Sequence, residues 1–218
     1  MVRVNFDNLL KELQKDILRM GGLVEEMITD AVEALATQDL ELAQDVLDRD
    51  ETVNELDLDI EDQCMKLIAT QQPMGKDLRK IGIAFNIIKD LERMADYACD
   101  IAKTCKRIGK EPLIKPLIDI PRMAEMAKSM VSKSLDSYVR EDVELAEEIA
   151  ADDDKVDELY KQIFRELLVI MMENPKSINQ ATHLLFIGRY LERVADHSTN
   201  ICEAVIFLVT GKRKDLNP

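Results

Sequence analysis

Two similar six-residue stretches lie 100 residues apart in this 218-residue chain, and they constrain its architecture more than any other feature. Leu91–Asp96 reads LERMAD and Leu191–Asp196 reads LERVAD, so five of the six positions agree. A second pair, Asp39–Ala43 and Asp142–Ala146, is separated by 103 residues. A unit this long exceeds the roughly 20–50 residues of a solenoid repeat. The sequence therefore predicts a duplicated domain, with one copy in residues 1–110 and the other in residues 115–212.

Within each copy, apolar residues recur at three- and four-residue steps, which is the spacing of an amphipathic helix. The first stripe covers residues 6–35, and we expect Gly21-Gly22 to interrupt and bend it. Asp39 and Asp142 are predicted N-caps of the second and fifth helices, and Gly211 a C-terminal cap of the sixth. The pattern predicts an all-α fold of six long helices, arranged as two tandem antiparallel three-helix bundles with a pseudo-two-fold internal repeat. We expect the two bundles to lie side by side or end to end.

Composition and charge exclude several classes of protein. The formal net charge of −14 disfavours a role in coating nucleic acid, which needs a surplus of positive charge. The longest uninterrupted apolar runs have six residues, against the roughly twenty of a spanning helix, so we expect no membrane insertion. The opening MVRVNFDN has no apolar region typical of a secretory signal, and a cytoplasmic location is expected.

The four cysteines share no C-x-x-C spacing and lie in helical patterns. They are Cys64, Cys99, Cys105 and Cys202. We expect buried free thiols in a reducing compartment, with a disulfide or a zinc site as the alternative.

Acidic residues form stripes at four-residue spacing beside the apolar ones. On the third and sixth helices they occupy equivalent positions, and the second and fifth helices contribute flanking acids. The predicted cation ligands are Asp50, Asn54, Asp57, Glu92, Asp96, Asp100, Asp153, Asp157, Glu192, Asp196 and Asn200. Like charges four residues apart on a helix repel, so a cation would relieve the arrangement. Oxygen-only ligands suit Mg²⁺, Ca²⁺, Mn²⁺ or iron.

The same acids have a simpler interpretation as solvated faces of an acidic protein. Arg93, Arg193, Lys89 and Arg189 are available as ordinary ion-pair partners.

His197 follows Asp196 but points about 100° around the helix from it, so it is a weak ligand candidate, and His183 is expected to be structural. No glutamate precedes a histidine by three residues, which excludes the helical di-iron motif. No P-loop, dinucleotide fingerprint or nucleophile elbow is present, so the sequence predicts no enzyme.

Three elements together resemble the PhoU family. They are the paired Leu-Glu-Arg-x-x-Asp motifs, the segment QQPMGKDLRKI at residues 71–81, and the closing LERVADHSTNICEAVIFLVTGK at residues 191–212. The similarity covers residues 5–212, nearly the whole chain. It implies two three-helix bundles, a cytoplasmic location and a homodimer.

The resemblance also implies a function, that of a negative regulator of phosphate uptake and of the phosphate-starvation response. Such proteins restrain the high-affinity phosphate ABC transporter and help its sensor histidine kinase to silence the phosphate-starvation response. The expected partners are therefore the transporter's ATPase subunit and the phosphate-sensing kinase. Some members bind iron, zinc or other metals, with manganese, magnesium and nickel also candidates here.

The family's Glu/Asp-x-x-x-Asp metal motif falls on four pairs of positions. These pairs are Glu92 with Asp96, Glu192 with Asp196, Asp50 with Asn54, and Asp153 with Asp157. Asn54 departs from the fully acidic form, and the Asp-Leu-Arg element at 77–79 is present only in the first repeat. Two competing hypotheses remain, a metal-storage or metal-dependent helical enzyme and a purely structural scaffold.

Overall fold

The computed structural model describes residues 2–216, and six long helices account for most of them. Their bounds are α1 Val2–Thr37, α2 Leu40–Gln71, α3 Lys76–Ile108, α4 Asp119–Arg140, α5 Val143–Glu173 and α6 Ile178–Thr210. A short 3₁₀ helix, Pro175–Ser177, leads into α6. No strand occurs among the described residues. The predicted all-α fold of two tandem three-helix units is confirmed.

The predicted helix ends are confirmed by their hydrogen bonds. The Asp39 carboxylate accepts from the backbone N–H groups of Glu41 and Leu42 at 3.0 and 3.1 Å. The Asp142 carboxylate accepts from Leu145 N–H at 3.1 Å. Gly211 has φ +71°, the left-handed conformation of a C-terminal cap, and its N–H donates to the Phe207 carbonyl.

The prediction that Gly21-Gly22 would interrupt the first helix is wrong, because α1 is continuous through both glycines. Gly21 instead permits a close contact between the two repeats. A Cβ atom at this position would lie 2.1 Å from Leu135 Cδ1 of α4, whereas one at the exposed Gly22 would meet nothing within 4 Å. The first glycine is therefore a packing residue.

The two bundles lie side by side and share one hydrophobic core. Helix α1 packs against α4 and α3 packs against α6, while α2 and α5 flank the inner four helices. Helices α3 and α6 run antiparallel, since Arg79 contacts Leu208 near one end and Tyr97 stacks on Tyr190 further along. The buried apolar side chains of all six helices form a single connected cluster.

Two glutamine residues fix the segment between the repeats. The Gln38 amide nitrogen donates to the carbonyls of Gly109 and Glu111. Gln180 accepts from Ile114 N–H at 2.6 Å and donates to the Pro112 carbonyl at 3.1 Å. These bonds satisfy backbone groups of a segment that has no helix or strand of its own.

The four cysteines are buried and none forms a disulfide, so the expectation of buried free thiols is confirmed. Burial raises the pKa of the Cys64 and Cys202 thiols to about 12. They therefore behave as small apolar side chains of the core. None of the helices described is long and apolar enough to cross a membrane.

Candidate functional site

The groove between α2 and α3 holds the acidic residues of the first repeat. Lys89 of α3 donates to Asp57 Oδ2 of α2 at 2.5 Å and lies 3.6 Å from Glu61. Asp57 is buried, and its Oδ1 has no hydrogen-bond partner. Arg93 pairs with Asp96 at 2.8 Å and lies 3.4 Å from Glu92. Internal cations therefore already neutralise most of this cluster.

Three other predicted ligands of the first repeat lie further along the same groove. Asn54 is exposed and donates to Asp50 at 3.4 Å. Asp50 lies close to Cys99, whose pKa is raised to about 12 by burial and then by the charge of Asp50. Asp100 pairs with Lys103 at 3.1 Å. The antiparallel packing of α2 on α3 thus brings the predicted stripes face to face, and intervening cations separate their acids.

The groove between α5 and α6 holds the acids of the second repeat, and the pKa values of these acids are shifted more strongly than those in the first groove. Burial raises the pKa of Asp153 to about 7, and the charges of Asp196, Asp157 and Glu192 add to that effect. Burial likewise raises the pKa of Glu192 and of Asp196. Four carboxyl groups thus interact with one another in a partly desolvated groove, which disfavours their full ionisation.

Arginines of α6 neutralise only part of this second cluster. Arg189 donates to Glu192 Oε1, and Arg193 lies 3.3 Å from Asp196. Glu192 Oε2 is buried without a hydrogen-bond partner, and Arg193 lies 4.0 Å from it. A buried carboxylate oxygen in this condition is costly unless a proton or a cation satisfies it.

Three of these acids do not lie on a solvated face, which is the simpler of the two interpretations of the sequence. Asp57, Asp153 and Glu192 are each less than 9% exposed. They face the neighbouring helix of their own bundle, so their carboxylates lie in interhelical grooves. Sequence spacing gives the angular position of a residue on its helix but not the width of the groove beside it.

Asn200, predicted as a cation ligand, contacts the other repeat instead. Its amide nitrogen donates to Asp90 of α3 at 3.1 Å, and His197 Nδ1 lies 2.8 Å from the same oxygen. The sixth-helix stripe therefore divides, because Glu192 and Asp196 interact with α5 acids whereas Asn200 turns towards α3. Within residues 2–216, no three acidic, histidine or cysteine side chains converge closely enough to hold a metal ion as they stand.

Asp90 and Arg79 are among the residues that join the two repeats, and the sequence did not predict either contact. Arg79 of the Asp-Leu-Arg element donates to the Leu208 carbonyl at 3.2 Å, so it caps the C-terminus of α6. The repeats themselves contained a signal for both. Asp90 and Arg79 correspond to Tyr190 and Asn179 in the second copy. A position where two similar repeats differ is a candidate for a contact that only one of the repeats makes.

Comparison with known proteins gives the family. A family model described as the PhoU domain matches residues 17–105 and again residues 120–205. The chain belongs to the PhoU family. The crystal structure of PhoU from Pseudomonas aeruginosa superposes with a TM-score of 0.90 at 35% identity, covering 95% of this chain and 100% of that one. The phosphate transport system regulatory protein PhoU from Streptococcus pneumoniae gives the same TM-score at 32% identity, with 96% and 99% covered.

Relatives in this PhoU family match over nearly their full lengths. A protein of Clostridium acetobutylicum is 44% identical over 218 residues, which is 100% of both chains. One from Aquifex aeolicus is 42% identical over 203 residues, covering 93% of this chain and 92% of that one. Both are named phosphate-specific transport system accessory protein PhoU homologues.

Proposed function

We propose that this protein is a cytoplasmic adaptor that negatively regulates phosphate uptake and the phosphate-starvation response. The observation that supports the proposal most is the full-length similarity to relatives named as accessory proteins of phosphate-specific transport. The role is one of binding, without catalysis. Its partners are the ATPase subunit of the phosphate ABC transporter and the phosphate-sensing histidine kinase, and it acts as a homodimer.

The architecture suits an adaptor because it presents long helical surfaces from a rigid interior. One connected core joins both repeats, so a partner on one bundle meets a surface that is held in place by the other. Phosphate status would be detected by the transporter and passed on through contact.

The test of this function is genetic and biochemical. Deletion of the gene should derepress a phosphate-starvation promoter in phosphate-rich medium, and the wild-type copy should restore repression. A tagged protein from the same cells should capture the transporter ATPase or the kinase. Unchanged promoter activity after deletion, together with capture of neither protein, would refute the proposal.

Metal binding is a second element of the proposal, and the α5–α6 cluster is its best candidate. The donors Asp153, Asp157, Glu192 and Asp196 are all carboxylates, as a hard cation prefers. The buried Glu192 Oε2 and the raised pKa values fit a site that is short of positive charge. In the first repeat, Asp57, Glu92 and Asp96 with Asp50, Asn54 and Asp100 form a weaker candidate, because Lys89 and Arg93 already occupy it.

The competing function is a metal store or a metal-dependent enzyme, and the observation that supports it is the same cluster of α5–α6 acids. Elemental analysis of the purified protein, with phosphatase and ferroxidase assays, separates the two. Turnover that disappears when Glu192 and Asp196 are replaced by their amides would support the enzyme and contradict the adaptor.

A further inference from the structure

The C-terminal half of α5 exposes a stripe of large apolar side chains. Phe164, Leu168, Val169 and Met172 are 41, 40, 52 and 81% exposed. Phe164, Leu168 and Met172 follow one another at four-residue steps on one side of the helix, and Val169 lies at the edge of that side, about 100° around from Leu168. Single exposed apolar residues are ordinary, whereas a contiguous group on one helix face is typical of an interaction site.

The duplication does not explain this stripe. At the 103-residue offset between α2 and α5, the four residues correspond to Glu61, Met65, Lys66 and Ala69. The outward face of α2 is therefore mixed and largely polar where that of α5 is apolar. Since the two helices have the same role in their bundles, the difference belongs to this surface and not to the needs of the fold.

Two exposed cations lie on the same stripe, at its N-terminal end. Lys161 has one ion pair, with Asp157 of its own helix at 3.4 Å, and Arg165 has none within the described residues. The neighbouring Glu166 is turned away and bound by Lys115. The six members of the stripe therefore include two cations and no acid, on a chain whose net charge is −14.

We propose that the outward face of α5 from Lys161 to Met172 docks an amphipathic helix of a partner protein, whose apolar side ends in acidic residues. Apolar side chains at helical spacing are the usual anchors of helix-to-helix recognition. The two cations select the acidic end and so set the direction of the bound helix. A second copy of this chain fits less well, because its own stripe has no acid to meet them.

The size of the face indicates a transient contact. Eleven residue steps along a helix span about 16 Å. A strip of this length and about one helix diameter (roughly 10 Å) wide covers about 160 Å², which is smaller than the roughly 800 Å² per partner of a standard stable interface. Reversible binding suits a docking event and not a permanent assembly.

The test uses a synthetic helical peptide with leucines at three- and four-residue spacing and two glutamates at one end. A sibling peptide has lysines in place of the glutamates. Binding to the full-length protein is measured by fluorescence anisotropy for wild type, Leu168→Glu and Arg165→Glu. The matched control is Met65→Glu, at the equivalent exposed position of α2, and circular dichroism checks that each variant is folded.

We expect both α5 variants to bind the acidic peptide at least about tenfold more weakly than wild type, and Met65→Glu to bind it within about twofold. The lysine peptide should bind about tenfold more weakly than the acidic one, and added salt should reduce the difference. Equal binding of the two peptides, or an equal loss in Met65→Glu, would overturn the proposal. So would self-association that Leu168→Glu abolishes and the peptide does not inhibit, or binding of phosphatidylglycerol vesicles through this face.

Discussion

Tyr97 of α3 and His197 of α6 occupy equivalent positions in the two repeats, and their ring centroids lie 5.8 Å apart. A residue can meet its own counterpart only near the axis that relates the two copies, so the pseudo-two-fold axis passes between these rings. The α3–α6 interface is therefore built like the isologous interface of a homodimer. Its surroundings have since diverged, as the bond from Asn200 to Asp90 illustrates.

Replacing Gly21 should affect stability quite differently from replacing Gly22. Both are in α1, where glycine costs about 1 kcal/mol relative to alanine. Gly22→Ala should stabilise the protein by about 0.5–1 kcal/mol. Gly21→Ala should instead lower the free energy of unfolding by about 1 kcal/mol, because the buried Leu135 must move. Urea denaturation measures both.

The double variant Gly21→Ala with Leu135→Val provides the control for that mechanism. If the loss comes from contact with Leu135, the double variant should be less destabilised than the sum of the two single changes. Strict additivity would contradict the contact described here.

The α5–α6 cluster should make the stability of the metal-free protein depend on pH. The pKa of Asp153 is about 4 in an unfolded chain and about 7 in the fold, so the folded state favours the protonated form. The contribution of the protonated Asp153 carboxyl to the free energy of unfolding is fully present below about pH 4 and is lost as the pH rises to about 7. Asp153→Asn should therefore stabilise the chelator-treated protein by about 1–3 kcal/mol at pH 8 and have little effect at pH 4. Thermal unfolding across this range measures the effect, and Asp154→Asn, which removes the smallest of the charges that raise the pKa of Asp153, should change the pH profile much less.

Bound metal should depend more on the second repeat than on the first. We expect Glu192→Gln with Asp196→Asn to reduce the metal content of the purified protein by at least about tenfold. Glu92→Gln with Asp96→Asn should reduce it less, because Lys89 and Arg93 already neutralise that groove. Elemental analysis after dialysis against Mn²⁺ gives the comparison. An unchanged metal content in both double variants would show that these acids are not metal ligands.

Arg79→Ala should loosen the end of α6. The side chain donates to the Leu208 carbonyl, one of the last in the helix, and its loss should cost about 0.5–2 kcal/mol. Hydrogen exchange should accelerate at residues 208–212 first. Asn179→Ala changes the equivalent, exposed residue of the second repeat and should leave both measurements unaltered.

Local chemistry explains what the sequence predicted well. Asp39 and Asp142 precede apolar runs, and a carboxylate there can accept from the free N–H groups of a first turn whatever the tertiary fold. The duplicated LERMAD and LERVAD segments, with the periodic apolar residues, were likewise enough for six helices in two bundles.

Tertiary context explains what the sequence could not predict. The Gly21-Gly22 pair predicts a bend because nothing in its local sequence shows that Leu135, 114 residues away in the chain, packs on Gly21. Glu192 lies off the apolar stripe of its helix, which is typical of a solvated position, yet it is buried in the fold near Asp157 of α5. Asn200 shares the spacing of the ligand stripe, but α3 supplies Asp90 as a nearer partner.

The contact between Arg79 and Leu208 has a consequence for how the chain is made. The first bundle leaves the ribosome with the α1 and α3 surfaces that later meet α4 and α6 still uncovered. At about 5–20 residues per second, the remaining hundred or so residues take roughly 5–20 s to follow. During that interval the nascent first half depends on dilution or on a chaperone to avoid aggregation. The interval ends when α6 packs on α3 and Arg79 binds the Leu208 carbonyl.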